Sequence, residues 1–315
     1  MRLVLGVLAG LLLIGCGSRT EQAEKTVAII TPDAWLARAF DPAQTGTIAG
    51  LVTWSGAVPA EPSQHAAWLS LIGPPGPCRG SENPLRPRID ASTGGVGNAV
   101  VFLRGVDVEK SRPWDHAPVE IEMKDYQIIL RQQEHQPRYA FARRGEMVNM
   151  VSRQPAHHSL HADGAAFFTL SFPNPDQPLQ RRLANSGIVE LSSGIGYFWM
   201  RGYVFVSDHP YYAATDAQGQ FELPQVPAGE YEIVAWMPNW KEVRRELDPE
   251  TGQIVRLVHG TPAVKKQLVL VGQGTVATVG FTFREEDFNN TGSASADFSV
   301  RAAMRQRART NESTK

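Results

Sequence analysis

Residues 215–231 read Thr215-Asp216-Ala217-Gln218-Gly219-Gln220-Phe221-Glu222-Leu223-Pro224-Gln225-Val226-Pro227-Ala228-Gly229-Glu230-Tyr231. Turn formers from Asp216 to Gly219 separate two short runs, which predicts a hairpin over Ala213–Leu223. Pro224 to Gly229 predicts a second turn. Glu230-Tyr231-Glu232-Ile233-Val234-Ala235-Trp236 then returns with the period of two that a half-buried strand requires. Gly219 and Gly229 are expected where the backbone needs positive φ. Phe221 and Tyr231 are expected to bury their rings in one core.

The same texture extends outward in both directions. Strands are predicted at Thr47–Trp54 (with a glycine bulge), Asn98–Gly105, Val119–Met123, Gln127–Leu130, Tyr139–Ala142, Met147–Val151, Phe167–Phe172, Gly187–Leu191 and Gly202–Val206. Lys266–Val271 and Thr275–Phe283 complete the set. Pro59–Ala91 reads as a long loop with a helical turn near Trp68. The chain holds 28 Gly and 22 Pro in 315 residues, and short apolar runs between such breakers are the pattern of an all-β sandwich protein. Beyond the leader no long segment carries a helical period.

The run Thr215-Asp216-x-x-Gly219-x-Phe221-x-Leu223-x-x-Val226-Pro227-x-Gly229-x-Tyr231 resembles the carboxypeptidase regulatory-like (transthyretin-like) domain. That resemblance implies that Gly46–Val52 and Ala99–Leu103 are early strands of the same sandwich. They stand far upstream of the hairpin, so a segment is inserted between them. The insert resembles a cupredoxin, a fold that holds copper with an upstream His and a late loop reading C-x-x-H-x-W-M before a strand. Trp199-Met200 match the end of that loop and Gly202–Val206 the strand. Counting back puts Tyr197 at the His place and Gly194 at the Cys place, while His158 fits the upstream His. The thiolate is missing, so the resemblance implies the fold without a blue-copper site. Tyr197-Phe198-Trp199-Met200-Arg201-Gly202-Tyr203 with Asp208-His209-Pro210-Tyr211-Tyr212 resembles planctomycete-type envelope lipoproteins that combine the two modules.

The N-terminus points to the same compartment. Met1-Arg2, an apolar run Leu3–Ile14 and Gly15-Cys16-Gly17-Ser18 form an export signal, too short to span a bilayer. Leu13-Ile14-Gly15-Cys16 resembles a bacterial lipobox, which implies cleavage before Cys16 and lipid on its thiol. The expected organisation is a signal peptide at 1–15 and a tether at 16–45, in which Thr31–Phe40 has the spacing of a short helix. A carboxypeptidase regulatory-like β-sandwich follows from 46–107 with 208–284, a cupredoxin-like Greek-key sandwich at 108–207, and a disordered tail at 285–315 with a transient helix at Val300–Arg309. The membrane is then a partner through lipid on Cys16, either outer or cytoplasmic, with the body in the periplasm or at the cell surface. The chain has two cysteines. Once Cys16 is lipidated only Cys78 remains, so no intrachain disulfide forms, and Cys78 reads as a metal ligand, a reactive thiol or, most simply, a small half-buried residue.

The formal net charge of -1 gives no overall field for nucleic acid. No Ser-His-Asp order, paired-carboxylate motif, phosphate loop or nucleotide fingerprint occurs, so the expectation is a protein that is not an enzyme. His157, His158 and His161 are the metal candidates, with Met200 as thioether and Met237 or His209 as further neighbours. Imidazoles with a thioether suit Cu(I), and imidazoles alone suit zinc. Against this stands a polar loop whose histidines face water or cap a strand, and no cofactor is expected. Tyr197, Trp199, Tyr211, Tyr212 and Trp236, with Phe198, Tyr203 and Trp240, read either as a stacking platform for a polysaccharide or protein partner or as a sealed core between the modules. Asp208, His209 and Tyr211 have the makings of an acid–base group, although a hinge fixed by Pro210 accounts for them more simply. The functional expectation is a non-catalytic envelope lipoprotein, binding or structural. A periplasmic metal protein is one alternative. The other is a purely structural component whose basic tail (Arg301, Arg305, Arg307, Arg309) reaches an anionic surface.

Overall fold

The computed structural model describes residues 40–59, 83–247, 249–250, 252 and 254–289. The signal peptide, Cys16, Cys78, the Trp68 turn, the helix expected before Phe40 and the one at Val300–Arg309 lie outside these residues. The chain opens with β1 (Thr45–Trp54), β2 (Arg88–Ile89), β3 (Val96–Gly97) and β4 (Val100–Arg104). Nine strands follow: β5 (Val119–Lys124), β6 (Gln127–Gln132), β7 (Tyr139–Arg143), β8 (Met147–Ser152), β9 (His158–Gly164), β10 (Phe168–Phe172), β11 (Leu179–Arg182), β12 (Gly187–Ser193) and β13 (Arg201–Ser207). The last group is β14 (Tyr212–Ala214), β15 (Gln220–Pro227), β16 (Gly229–Met237), β17 (Glu242–Leu247), β18 (Ile254–His259), β19 (Ala263–Val271) and β20 (Val276–Phe283). The only helical turns among the described residues are short 3-10 segments, so the protein is all-β.

Two sheets, ordered β15-β1-β20 and β14-β4-β16-β19, pack into one sandwich. Ile48, Val52, Phe221, Leu223 and Phe281 of the first sheet share a core with Val101, Leu103, Ile233 and Val271 of the second. The nine middle strands make the second sandwich, with orders β10-β9-β12-β13-β7 and β11-β8-β5-β6. Its core holds Ile121, Met150, Leu160, Phe172, Val189 and Val204.

Strands β7 and β13 join the two bodies. They pair in parallel, with Tyr203 opposite Tyr139 and Phe205 opposite Phe141. Side chains alternate faces along a strand, and here both faces are buried. Ala140, Ala142, Val204 and Val206 fill the middle sandwich. Tyr139, Phe141, Tyr203 and Phe205 fill the core of the other. A strand buried on both faces reads as an unbroken apolar run, as Tyr203-Val204-Phe205-Val206 does.

Several expectations are corrected. The Asp216–Gly219 turn is a corner between sheets rather than a hairpin, because β14 pairs with β4 while β15 pairs with β1. Asp216 pins the corner by accepting from the N–H groups of Gln218 and Gln220 at 3.0 and 2.8 Å. Gly219 has φ +84°, and a Cβ there would lie 2.2 Å from the Val52 carbonyl oxygen. Gly229 does not take positive φ. In the second turn, Pro224 to Gly229, the residue that does is Gln225, at 55°. Gly229 instead lies under a ring, since a Cβ would sit 3.2 Å from Tyr231 Oη. Strand β9 and the β17–β18 hairpin were not expected. Leu257 of that hairpin is 1% exposed and lies in the core of the middle sandwich. The tail boundary at 285 is also too early. Glu285–Phe288 is a 3-10 turn, held because Phe288 is buried against Trp54 and Trp240, with ring centroids at 5.9 and 4.6 Å.

Candidate functional site

His158 opens β9 and is fully buried, and neither ring nitrogen has a partner among the described residues. The ring of Tyr126 lies 5.8 Å away and that of Tyr197 5.6 Å, centroid to centroid. Tyr126 and Tyr197 meet edge-on at 5.2 Å, and Trp199 continues the cluster at 5.4 Å from Tyr197. Trp199 Nε1–H donates to the Tyr126 carbonyl at 2.8 Å. Burial pushes the imidazole pKa down, with the His157 charge acting in the same direction, so His158 is neutral at physiological pH. Tyr126 reaches this position from the two-residue turn between β5 and β6, where Asp125 and Tyr126 have φ of 51° and 55°. That geometry is the one a tight hairpin demands. Asp-Tyr is an uncommon pair for it, and Tyr126 does not stand out among the candidate residues.

The resemblance placed a thiolate at 194. Gly194 N–H donates to the Ser159 carbonyl at 2.8 Å, and a Cβ at 194 would lie 2.5 Å from Ser159 Oγ. Position 194 therefore has no room for a side chain unless the Ser159 hydroxyl moves. Met200 is 2% exposed in the core beside this cluster. His157 and His161 do not join it. Strand alternation turns His161 to the outer face, where Nδ1 meets Thr169 Oγ1 at 3.0 Å, while His157 Nε2 meets Ser171 Oγ at 2.9 Å. The set His157, His158, His161 is thus split between faces, and no group of three or more His, Cys, Asp or Glu is placed to hold a metal among the described residues. These residues do not fit a blue-copper centre, which needs a thiolate and two imidazoles.

Of the aromatic group, Trp199, Tyr211 and Trp236 take the sealed-core alternative rather than the ligand-facing one. Trp236 and Tyr211 are 0% exposed and Trp199 is 7%, while Tyr197 and Tyr212 are half-buried. Trp236 meets Tyr203 and Phe205, each with centroids at 5.1 Å, inside the joint. Met237 is buried there too. Tyr211 Oη donates to the Gln225 carbonyl and accepts from Arg112 N–H, and burial raises its pKa to about 12. Tyr211 and Asp208 point to different partners, so the acid–base trio does not assemble.

His209 borders an open cleft. Its volume is 350 Å³, and Phe102, Arg104, Ile188, Phe205, Asp208 and Tyr212 line it with His209. Tyr212 stacks on Phe102 at 4.9 Å and on His209 at 5.6 Å. Asp208 takes Arg144 Nε at 2.6 Å and Ser186 Oγ at 3.3 Å. His209 is 9% exposed, its Nδ1 has no partner among the described residues, and burial lowers its pKa to about 4 against a weaker opposite pull from Asp208.

Fold and site together define an all-β protein of two sandwiches sharing an aromatic joint. No family model matches the chain, and no curated protein matches it in sequence. Among solved structures, the copper-containing nitrite reductase from Thermus scotoductus SA-01 is 14% identical over 33% of this chain and 25% of its own, with a TM-score of 0.24. A Cu(I) amicyanin variant is 12% identical over 34% of this chain and 97% of its own, with a TM-score of 0.23. A purple cupredoxin from Nitrosopumilus maritimus is 15% identical over 29% of this chain and 99% of its own, with a TM-score of 0.22. Likenesses this slight add nothing about this chain's chemistry, which rests on its own residues.

Proposed function

We propose that the chain is an exported, non-catalytic envelope lipoprotein, carrying lipid on Cys16 and presenting its two sandwiches to the envelope as one rigid binding and structural body. The carrying observation is the joint: Tyr139, Tyr203, Phe205 and Trp236 lie in one continuous core with both sheets of the outer sandwich. Flexing between the modules would expose these rings to water, at roughly 1.5–3 kcal/mol per large apolar side chain. The packing of Tyr126 and Tyr197 against His158 argues in the same direction, because aromatic rings occupy the space beside the buried imidazole. Lipidation rests on the Leu3–Ile14 run and Gly15-Cys16.

Growth with an alkyne-bearing palmitate tests the anchor. The wild-type chain should take up the label and fractionate with membranes, and Cys16→Ser should do neither. Equal labelling of the two proteins would overturn the lipoprotein reading.

A second reading is copper or zinc held at His158. One observation favours it: a fully buried imidazole with both nitrogens unpartnered among the described residues. Metal content of the purified protein, compared with His158→Ala, tests it directly.

A further inference from the structure

We propose that the cleft between the two sandwiches binds a neutral, single-ring molecule bearing hydroxyl or amide groups, as one sugar residue does. This deepens the binding reading above and rests on it.

The cleft follows from the connectivity. A sandwich inserted into another must leave it and return, and here both crossings run past the same spot. The outgoing crossing supplies Leu103 to Val106 with Val108, and the returning one Ser207 to His209 with Tyr212. Ser186, Gly187 and Ile188 form the third wall.

The lining selects the ligand by three features. Phe102, Ile188, Phe205 and Tyr212 give an apolar wall, suited to the C–H face of a ring. The charges at the rim are already matched within the chain. Asp208 is held by Arg144 at 2.6 Å. Arg104 pairs with Glu232 at 3.4 Å, with its guanidinium 5.7 Å from the Phe102 ring centre. Neither sign is left over to attract an ion, so a neutral ligand is selected. The third feature is His209, a lining residue that keeps 9% of its surface exposed. Its imidazole is neutral because of burial, and a neutral ring nitrogen pairs with a hydroxyl or amide. At 350 Å³ the cleft lies at the small end of ligand pockets, which run from about 300 to 1,000 Å³. It therefore admits one ring rather than a chain of them.

The test uses the mature full chain in detergent, with ring-labelled histidine. Eight histidines give few signals, and His209 is assigned by its loss in His209→Gln. The probes are N-acetylglucosamine and methyl β-glucoside, with acetate and glycerol as an anion and an open-chain polyol. A saturable shift of the His209 signal is expected with a ring probe, in the millimolar range usual for single sugars in small sites. It should weaken at least tenfold in Ser186→Trp, where an indole fills the mouth. No saturable shift with either ring probe overturns the proposal, as does an equal response to acetate or an unchanged response in Ser186→Trp. Chemical conversion of a probe would sink the non-catalytic reading while leaving the cleft as a site. Failure of palmitate labelling would sink the anchor and leave this titration standing.

Discussion

Tyr139 of one sandwich meets Trp236 of the other edge to face, with ring centroids 5.6 Å apart and planes at 88°. Both side chains are essentially buried, yet Tyr139 Oη and Trp236 Nε1 have no hydrogen-bond partner among the described residues. The contact is held by ring packing, the geometry in which the positive edge of one ring faces the negative face of another. The joint thus stabilises through shape and area, and its polar atoms work against it.

Two substitutions separate those contributions. Tyr139→Phe keeps the ring and removes an unpaired hydroxyl, so it should be neutral or stabilising by about 1 kcal/mol. Trp236→Ala should cost about 3–5 kcal/mol, because a large ring leaves a void in a packed core. Wild type should unfold in urea as one transition for both sandwiches, since Trp236 of the outer sandwich packs against Tyr139, Tyr203 and Phe205 of the middle one. Separate transitions in the wild type would mean that the shared core does not couple them.

Acid should destabilise the protein over a defined window. Burial lowers His209 from 6.5 to about 4 and His259 to about 3. The unfolded chain, with ordinary imidazoles, then takes up protons before the folded one. Stability is fully present above pH 6.5, falls as pH drops toward 4, and levels off once the folded imidazoles are protonated as well. A shift from 6.5 to about 4 at His209 corresponds to about 3 kcal/mol. Urea midpoints at pH 7.5 and 4.5 should differ accordingly, and His209→Gln should recover part of the difference. Equal midpoints in the wild type would contradict the burial seen at both rings.

The sequence exposed most of the strands because alternation survives where one face meets water. Gln220–Leu223 and Glu230–Ile233 are of that kind, although the pattern did not reveal that β15 pairs with β1 rather than with β14. It concealed what depends on contacts distant in the chain. Strand β9 was hidden because His158 and Ser159 look polar, although both are buried. The histidine trio looked like one site because positions 157, 158 and 161 are close in sequence, whereas a strand's period of two separates 158 from 161. The aromatic residues were legible as a group, but whether they face a ligand or each other is decided by β7 and β13, which no local pattern reveals. Tyr139, at the centre of the joint, reads in sequence as an ordinary strand residue.

Thr215 should prove critical to the corner that opened the reading. Its hydroxyl donates to the Val96 carbonyl at 2.6 Å and accepts from Ala99 N–H at 2.8 Å, with the residue 4% exposed. Thr215→Val has nearly the same shape and leaves two buried backbone groups unpaired. The expected loss is about 2–6 kcal/mol, from about one to three for each orphaned group. Thermal unfolding of Thr215→Ser provides the control, since it keeps the hydroxyl and should lose much less.

Glu122 is the buried charge of the middle sandwich. Its side chain is 7% exposed, and Arg131 and Arg153 approach it at 2.6 and 2.9 Å. Burial alone would raise its pKa, but the hydrogen bonds from Arg131 and Arg153 outweigh that and hold it below the ordinary carboxylate range. Glu122→Ala strands two guanidinium groups and should cost about 3–5 kcal/mol. Combining it with Arg131→Met should recover part of that loss in a double-mutant cycle. Additive losses would show that the pair does not interact.

His158 decides between a relic and a working site. In a relic, a buried imidazole with neither nitrogen paired is a burden, since unpaired buried polar groups cost about 1–3 kcal/mol. His158→Leu should then match or exceed wild-type stability, because leucine fills much of the same space without polar atoms. His158→Ala should lose about 2–4 kcal/mol through the cavity left among Tyr126, Tyr197 and their neighbours. A metal site behaves differently. Copper at a hundred times its dissociation constant would stabilise wild type by about 2.7 kcal/mol and leave His158→Leu unmoved. Melting curves of wild type and His158→Leu, with and without Cu(I) under reducing conditions, therefore separate the cases. A leucine variant at least as stable as wild type, together with no copper response in either protein, means that the rings have closed the site for good. A copper response confined to wild type means that the His158 imidazole holds the metal.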